Sequence, residues 1–311
     1  MRILVSGAEG FVGRHLLEHL AEQGDEVLAT SRTAVEGFKE LNVVDKDAVR
    51  EVVSEFRPEA IIHLAAISFV PQAEEDFDQA LAVNVAGTDH VCRAVSEVGL
   101  KCRVVLASSS EVYGRVGEGQ MPIQEEQPLC PITNYGLTKS FSEQVVRRWR
   151  GEGVEGTIMR PFNHIGPGQS DRFVASSFAR QLAKIALGKE PAVLKVGNLA
   201  AKRDFTDVRD IVRGYRLAAE KGGDVYQLCS VKAIAIQELL DTLICVSGVA
   251  VDIQQEAGRT RSVEISVNYG SNDRAHQDLG WQPEIDLERT LGDVYEDWHR
   301  QESQAPSLAG R

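Results

Sequence analysis

Tyr135 and Lys139, in the run Asn134-Tyr135-Gly136-Leu137-Thr138-Lys139, are the residues whose types and spacing most directly suggest chemistry. Four residues apart in a helix, they lie on one face. A lysine charge beside a phenol stabilises the phenolate, so Lys139 is expected to lower a phenol pKa that is ~10 when unperturbed. A phenol tuned in this way can give or take a proton at a carbonyl or alcohol oxygen. The spacing alone also fits an ordinary amphipathic helix with one exposed lysine. A second cluster, Ser108-Ser109-Ser110-Glu111, follows the apolar run 103–107. Hydroxyls at the carboxyl end of a central strand face the ligand crevice of a doubly wound sheet. A serine there can donate to a substrate oxygen beside Tyr135. The competing account is that strand-end serines cap turns.

The elements ahead of this cluster supply the setting that such a pair needs. Residues 2–6 are an apolar run suited to a buried parallel strand. Gly7, Gly10 and Gly13 follow as G-x-x-G-x-x-G, and a helical pattern runs over 11–23. Strand, glycine turn and helix make a dinucleotide site, with Phe11 and Val12 inside the same segment. A plain βα turn that needs glycine for its geometry is the weaker reading. The second strand, 26–30, ends in Ser31-Arg32, where an NAD site usually carries an acid. NADP(H) is therefore the expected cofactor, with NAD(H) the alternative, and a solvated surface arginine is the competing account of Arg32.

A strand end at 41–45, a helix over 46–56 and a buried strand over 59–64 come next, the last running into Ala65-Ala66. Small residues there leave room for a ribose or pyrophosphate. His63 reads as a core histidine. A long helical pattern spans 72–98, in which Asn84 either bonds the neighbouring strand loops or is ordinary and exposed. The Tyr135 helix extends to about 150, and a strand over 154–160 closes at Pro161. This alternation requires a parallel sheet with helices on both faces, a Rossmann-like doubly wound α/β fold. A strand over 224–229 is expected to return to that sheet. Helices over 236–246, 271–279 and 286–299, the last with Asp286 as N-cap, and a strand over 251–254 form a smaller C-terminal α/β lobe. The expected division is 1–165 with 206–230 as the NADP-binding domain, and 166–205 with 231–311 as the substrate lobe.

Of the 311 residues 43% are hydrophobic, as in ordinary globular domains. Net charge is 34 − 46 = −12, which argues against a nucleic-acid partner. The five cysteines lack Cys-x-x-Cys spacing and several sit in apolar runs, so buried free thiols in a reducing compartment are expected. The seven histidines form no ligand-spaced cluster, and no metal is expected. No apolar run reaches the ~18 residues of a membrane span, and no signal-peptide pattern opens the chain. The expectation is a cytoplasmic protein with no membrane partner.

Taken in order, Gly7-x-x-Gly10-x-x-Gly13, His63-Leu64-Ala65-Ala66, Ser108-Ser109-Ser110-Glu111-Val112-Tyr113-Gly114 and Tyr135-x-x-x-Lys139 resemble the extended short-chain dehydrogenase/reductase family of nucleotide-sugar enzymes. Arg160-Pro161-Phe162-Asn163-His164-Ile165-Gly166-Pro167-Gly168-Gln169, Lys195-Val196-Gly197-Asn198 and Arg203-Asp204-Phe205-Thr206-Asp207-Val208-Arg209-Asp210 resemble its GDP-mannose branch. The resemblance implies that Tyr135 donates a proton and that Lys139 holds the nicotinamide ribose. Ser109 takes the place of the catalytic Ser or Thr, and Glu111 matches the acid that dehydratases use as a base. Asn42, Val43, Leu64, Ala65, Ala66 and His164 would lie along the cofactor. Ser110, Asn163, Lys195, Arg203, Arg209, Arg261 and Glu264 would meet a GDP-linked deoxyhexose. Two departures stand out. Asn42 replaces the usual aspartate at the adenine, and Arg261 lacks the proline that usually follows it. The implied activity is NADP(H)-dependent reduction of the C4 ketone of GDP-4-keto-6-deoxy-D-mannose to GDP-D-rhamnose, in a homodimer. The alternatives are GDP-mannose 4,6-dehydration or another epimerase or dehydratase reaction. A non-catalytic NADP-binding sensor is the alternative from another class, disfavoured by the presence of Tyr135, Lys139 and Ser109 together.

Overall fold

Runs such as Ile3-Leu4-Val5, Ala60-Ile61-Ile62 and Val104-Val105-Leu106 are apolar at consecutive positions, so both faces of each strand need cover. All nine residues are at most 1% exposed. The structure, a computed structural model, describes residues 1–256 and 265–305; Arg261 and Glu264 lie outside the described residues.

In chain order the elements begin with β1 Arg2–Ser6, α1 Phe11–Glu22, β2 Glu26–Ser31, β3 Lys39–Glu40, α2 Lys46–Phe56 and β4 Ala60–His63. Then follow α3 Val70–Glu75, α4 Phe77–Ala80, a π-helical turn Leu81–Ala86, α5 Gly87–Val98, β5 Arg103–Ala107 and a 3₁₀ turn Ser110–Tyr113. The middle of the chain forms α6 Asn134–Gly151, β6 Glu155–Pro161, β7 Asn163–Ile165, α7 Val174–Ala186, β8 Val193–Val196, β9 Lys202–Arg203, β10 Phe205–Asp207, α8 Val208–Lys221 and β11 Val225–Leu228. Last come β12 Ile234–Ala235, α9 Ile236–Ser247, β13 Asp252–Gln255, β14 Val267–Asn268, α10 Asp273–Leu279 and α11 Leu287–Gln304.

One compact unit comprises Met1–Phe162, Ile211–Leu228 and Ser271–Gln282. Its sheet is ordered β11-β6-β5-β4-β1-β2-β3, and every neighbouring pair is parallel. The order reverses at β1 and β4, the point where doubly wound sheets open a ligand crevice at the strands' carboxyl ends. Register brings Ser6 beside His63, so the loops after both strands emerge together. One face of the sheet packs Leu4, Ile61, Val104 and Leu106 against Val91 and Val95 of α5 and Val146 and Trp149 of α6. Each such side chain contributes roughly 1.5–3 kcal/mol when fully buried.

The second unit comprises Asn163–Asp210, Cys229–Gly270 and Pro283–Arg311. Its core gathers Phe178 and Leu182 of α7, Leu194 of β8, Leu239, Leu240 and Leu243 of α9, and Leu291 and Val294 of α11. Asp286 caps α11 by accepting from Arg289 N at 2.8 Å.

Two expectations are corrected. Residues 271–282 pack on the first unit, not in the lobe: Ser271 N donates to Ile123 O at 2.9 Å, Tyr226 OH meets Asp278 at 3.2 Å, and Trp281 is fully buried. The helical pattern over 72–98 is not continuous. Asp76 ends α3 and caps α4 through Gln79 N, and the π-helical turn widens the backbone around Asn84. Two of the five cysteines, Cys130 and Cys245, are exposed, while Cys92, Cys102 and Cys229 are buried free thiols. Among the described residues no helix is long and apolar enough to cross a membrane.

Candidate active site

The loop from β1 into α1 is built for close approach. Gly7 has φ of +70°, and a Cβ there would lie 2.8 Å from the Ala65 backbone. A Cβ on Gly13 would lie 2.4 Å from Ala8 O. Exposed Gly10 is the N-cap of α1; no side chain caps it and no acid occupies the first turn. Phe11 and Val12, half-buried, open that turn. Uncapped amides at a helix start, beside small residues, form an anion cradle that fits a dinucleotide's pyrophosphate. Leu64, Ala65 and Ala66 flank the same cradle: Leu64 N donates to Ser6 O at 3.1 Å and Ala65 N to Ser6 Oγ at 3.4 Å. Ser31 is buried at the end of β2 with exposed Arg32 next to it. Asn42 Oδ1 accepts from Val44 N at 3.2 Å, and the Val43 carbonyl accepts from His90 Nδ1 at 2.9 Å.

Tyr135 and Lys139 lie on the first turns of α6. Thr133 starts this helix by accepting from Gly136 N at 3.0 Å, a cap that contributes ~1 kcal/mol. A Cβ on Gly136 would lie 2.6 Å from Glu111 O, so only glycine lets the helix start sit against the turn carrying Ser110 and Glu111. Ser109 lies close enough to Tyr135 to act on its phenol, and accepts from Glu111 N at 3.2 Å. Lys139 Nζ donates to Ala107 O, at the end of β5, at 2.6 Å, and stands 5.9 Å from the Tyr135 ring centroid. The structure thus brings together Tyr135, Lys139, Ser109 and Glu111, with Ser110 buried alongside.

Asn84 is 2% exposed and holds this assembly from behind. Its Oδ1 accepts from Ile67 N at 2.8 Å, and its Nδ2 donates to Ile67 O at 3.1 Å and to Thr138 Oγ1 at 2.9 Å. Ser142 Oγ donates to the Asn84 carbonyl at 2.8 Å. Of its two sequence readings, the bonded one holds.

Electrostatics differ from the expected tuning. Burial pushes the Tyr135 phenol up to about 12, opposed by the Ser109 hydroxyl and reinforced by the Glu111 charge. Burial also pulls the Lys139 ammonium down to about 8, opposed by Glu143. In this arrangement the lysine is spent on the Ala107 carbonyl, and burial outweighs any help it gives the phenolate. His63, at the end of β4, is pulled down to about 3 by burial and by the Lys139 charge.

The remaining site candidates belong to the second unit. Asn163 and Lys195 are exposed, and Lys195 pairs with Glu256 at 3.0 Å. His164 is half-buried, its carbonyl accepting from Gln169 Nε2 at 2.9 Å. Arg203 Nη1 donates to Lys202 O at 2.8 Å. Arg209 is bidentate with Asp207, at 2.9 and 2.7 Å, and reaches Asp293 at 2.6 Å.

Residues 3–229 match the family described as NAD dependent epimerase/dehydratase. The chain belongs to the NAD dependent epimerase/dehydratase family. Among its relatives is the GDP-6-deoxy-D-mannose reductase of Pseudomonas aeruginosa, 35% identical over 300 residues, covering 96% of this chain and 97% of that one. The structure of RMD from Pseudomonas aeruginosa complexed with NADPH superposes with a TM-score of 0.88 at 34% identity, covering 96% and 98% of the two chains. UDP-glucose 4-epimerase of Bacillus subtilis is 28% identical over 95% of this chain and 96% of its own length. Glu143 and Arg160 form an ion pair buried behind this site to which the sequence motifs assign no role. The available signal was an acid eight residues after Tyr135 and four after Lys139, on the same helix face.

Proposed function

We propose that this chain is an NADP(H)-dependent reductase that converts the C4 ketone of GDP-4-keto-6-deoxy-D-mannose to the alcohol of GDP-D-rhamnose. The observation that carries the reading is the placement of Ser109 and Lys139 beside Tyr135 at the carboxyl end of a parallel sheet. Similarity along nearly the whole chain to a GDP-6-deoxy-D-mannose reductase supports the substrate.

NADPH, when bound, supplies the hydride. Gly7, Gly10, Phe11, Val12 and Gly13 would hold its pyrophosphate and Ser31 and Arg32 its 2′-phosphate. Asn42 and Val43 would hold the adenine, with Leu64, Ala65, Ala66 and His164 along its length. Tyr135 donates its proton to the oxygen at C4, and Ser109 holds that oxygen by a hydrogen bond that strengthens as negative charge develops. A phenol that burial keeps protonated is suited to act as an acid in the reducing direction. Lys139, charged below about 8, offers a nearby positive charge to the phenolate left when Tyr135 gives up its proton. Asn163, Lys195, Arg203 and Arg209, with Arg261 and Glu264, are assigned to the GDP-linked sugar. We further assign the protein to the cytoplasm as a homodimer, which light scattering of the purified protein would test.

Glu111 does not by itself separate this reading from 4,6-dehydration, since reductases of the branch carry the same acid. An acid within electrostatic reach of Tyr135 is what a 4,6-dehydratase needs beside the ketone. Product analysis by NMR separates the two. GDP-4-keto-6-deoxy-D-mannose with NADPH should yield GDP-D-rhamnose as NADPH is consumed. A 4-keto product from GDP-mannose without added NADPH would transfer the assignment to dehydration.

A further inference from the structure

Behind Ser109 and Tyr135 lies a buried ion pair that the reaction as described does not use. The side chains of Glu143 and Arg160 are 0% and 2% exposed. Arg160 Nε donates to Glu143 Oε1 at 2.8 Å, and Nη2 donates to Oε2 at 2.6 Å. The pair is therefore a planar two-point fork with a fixed orientation. Two of its three other bonds go to the two ends of one short segment. Ser108 Oγ donates to Glu143 Oε1 at 2.6 Å. Arg160 Nη1 donates to Tyr113 OH at 2.8 Å and to Glu125 O at 2.9 Å. Ser109, Ser110 and Glu111 are strung between those two anchors. Gln227 supports the far anchor, its Nε2 donating to Tyr113 OH at 2.8 Å.

Glu143 also shares its helix with the other half of the site. It follows Tyr135 by eight residues and Lys139 by four, so all three lie on one face of α6. A buried ion pair rarely stabilises a fold more than apolar packing of the same volume would, because desolvation offsets the attraction. Stability alone therefore gives a poor account of this one, whereas its geometry joins the two segments that must stay in register.

We propose that the Glu143–Arg160 pair is a clamp that positions Ser109 and Glu111 against Tyr135 and Lys139. Both are positioning residues, since neither touches the reacting atoms. The kinetic arm of the test rests on the reductase reading; the exchange arm does not. Glu143→Gln and the double variant Glu143→Met/Arg160→Met are compared with the unaltered protein. Hydrogen–deuterium exchange of peptides covering 108–114 should quicken in both variants, while β1 and β2 stay protected. Turnover should fall by about 10²-fold with KM values for both substrates unchanged, the cost of a small misplacement of reacting groups. The double variant removes both charges together, so its thermal stability should return toward that of the unaltered protein while turnover stays low. Recovery of turnover along with stability in the double variant would overturn the clamp. So would unchanged exchange over 108–114. If the unaltered protein leaves the GDP-linked ketone untouched, the reductase reading fails. Exchange over 108–114 then decides the clamp alone, faster exchange sustaining it and unchanged exchange ending it.

Discussion

Two segments rich in charged and hydroxyl residues, one in each unit, look alike in sequence and behave differently in the fold. In the first unit, the Ser108–Glu111 segment and the start of α6 converge, and Ser109 and Glu111 lie within electrostatic reach of Tyr135 while the bonds to backbone and to the ion pair come from behind. In the second unit, Arg203–Asp210 spends its acids on the fold. Asp204, fully buried, accepts from Ser230 N and Oγ at 2.7 Å and from Val231 N at 3.0 Å, holding Val231 at a φ of +62°. Asp207 takes Arg209 and Thr290 Oγ1, and Asp210 accepts from Glu284 N and Ile285 N at 2.9 and 3.0 Å. Reactive residue types mark a site only where their polar atoms are left turned toward a ligand by bonds made elsewhere.

The comparison predicts a split between chemistry and stability. The largest effect should come from Tyr135→Phe, which removes the proton donor without touching the backbone. Turnover should drop by about 10²- to 10⁴-fold while the melting temperature barely moves. Retained turnover in this variant would place the chemistry elsewhere and break the contrast outright. Ser109→Ala should cost about 10²-fold in kcat, as loss of one donor to a developing oxyanion does. An effect confined to KM would make Ser109 a ground-state contact only.

Arg209 offers the converse test. Its guanidinium lies against Asp207, whose side chain is 0% exposed, so Arg209→Met leaves a buried carboxylate short of its main partner. A stability loss of about 2 kcal/mol is expected, read from denaturant unfolding, with turnover per folded molecule preserved. A KM for the GDP-linked ketone raised about tenfold, since 1.4 kcal/mol in binding is tenfold, would support the assignment of Arg209 to the GDP-linked sugar, whereas an unaltered KM would leave it a structural partner of Asp207 alone.

Much of the first unit was legible because its signals are local. Apolar runs, Gly7, Gly10 and Gly13, and the alternation of strand and helix each lie within a few residues, and the parallel order follows from connection rules. The Tyr135–Lys139 pairing was legible for the same reason. The direction of its tuning was not. Spacing puts Lys139 on the face of Tyr135, but whether its charge reaches the phenol depends on the carbonyl of Ala107, 32 residues away. The pairing of Glu143 with Arg160 was not legible, because each looks like an ordinary surface charge until the fold buries the two together, 17 residues apart. Residues 271–282 were placed in the wrong unit because nothing in an amphipathic pattern says which core its apolar face will join.

The smallest expected effect concerns His63, a polar residue of the first unit that faces no ligand role in this account. Its Nδ1 shares a hydrogen bond with Ser6 Oγ at 2.7 Å, and its Nε2 has no partner among the described residues. Burial, with the Lys139 charge adding to it, pulls the ring from 6.5 down to about 3. The folded state therefore holds His63 neutral, whereas the unfolded chain takes up a proton once pH falls below about 6.5. Its contribution is fully present above that value and declines by up to about 1.4 kcal/mol per pH unit as pH falls toward the folded value. Carboxylates titrate in the same window, so the comparison must be differential. Unfolding free energies of the unaltered protein and of His63→Asn, measured at about pH 7 and about pH 5, cancel the shared carboxylates and leave the histidine. The gap between the two proteins should narrow, or reverse in favour of the asparagine, at the lower pH. A gap independent of pH would mean that His63 takes up its proton as readily in the folded protein as in the unfolded chain, and that the polar atoms behind the site are less sealed from water than those that hold Arg203–Asp210 together.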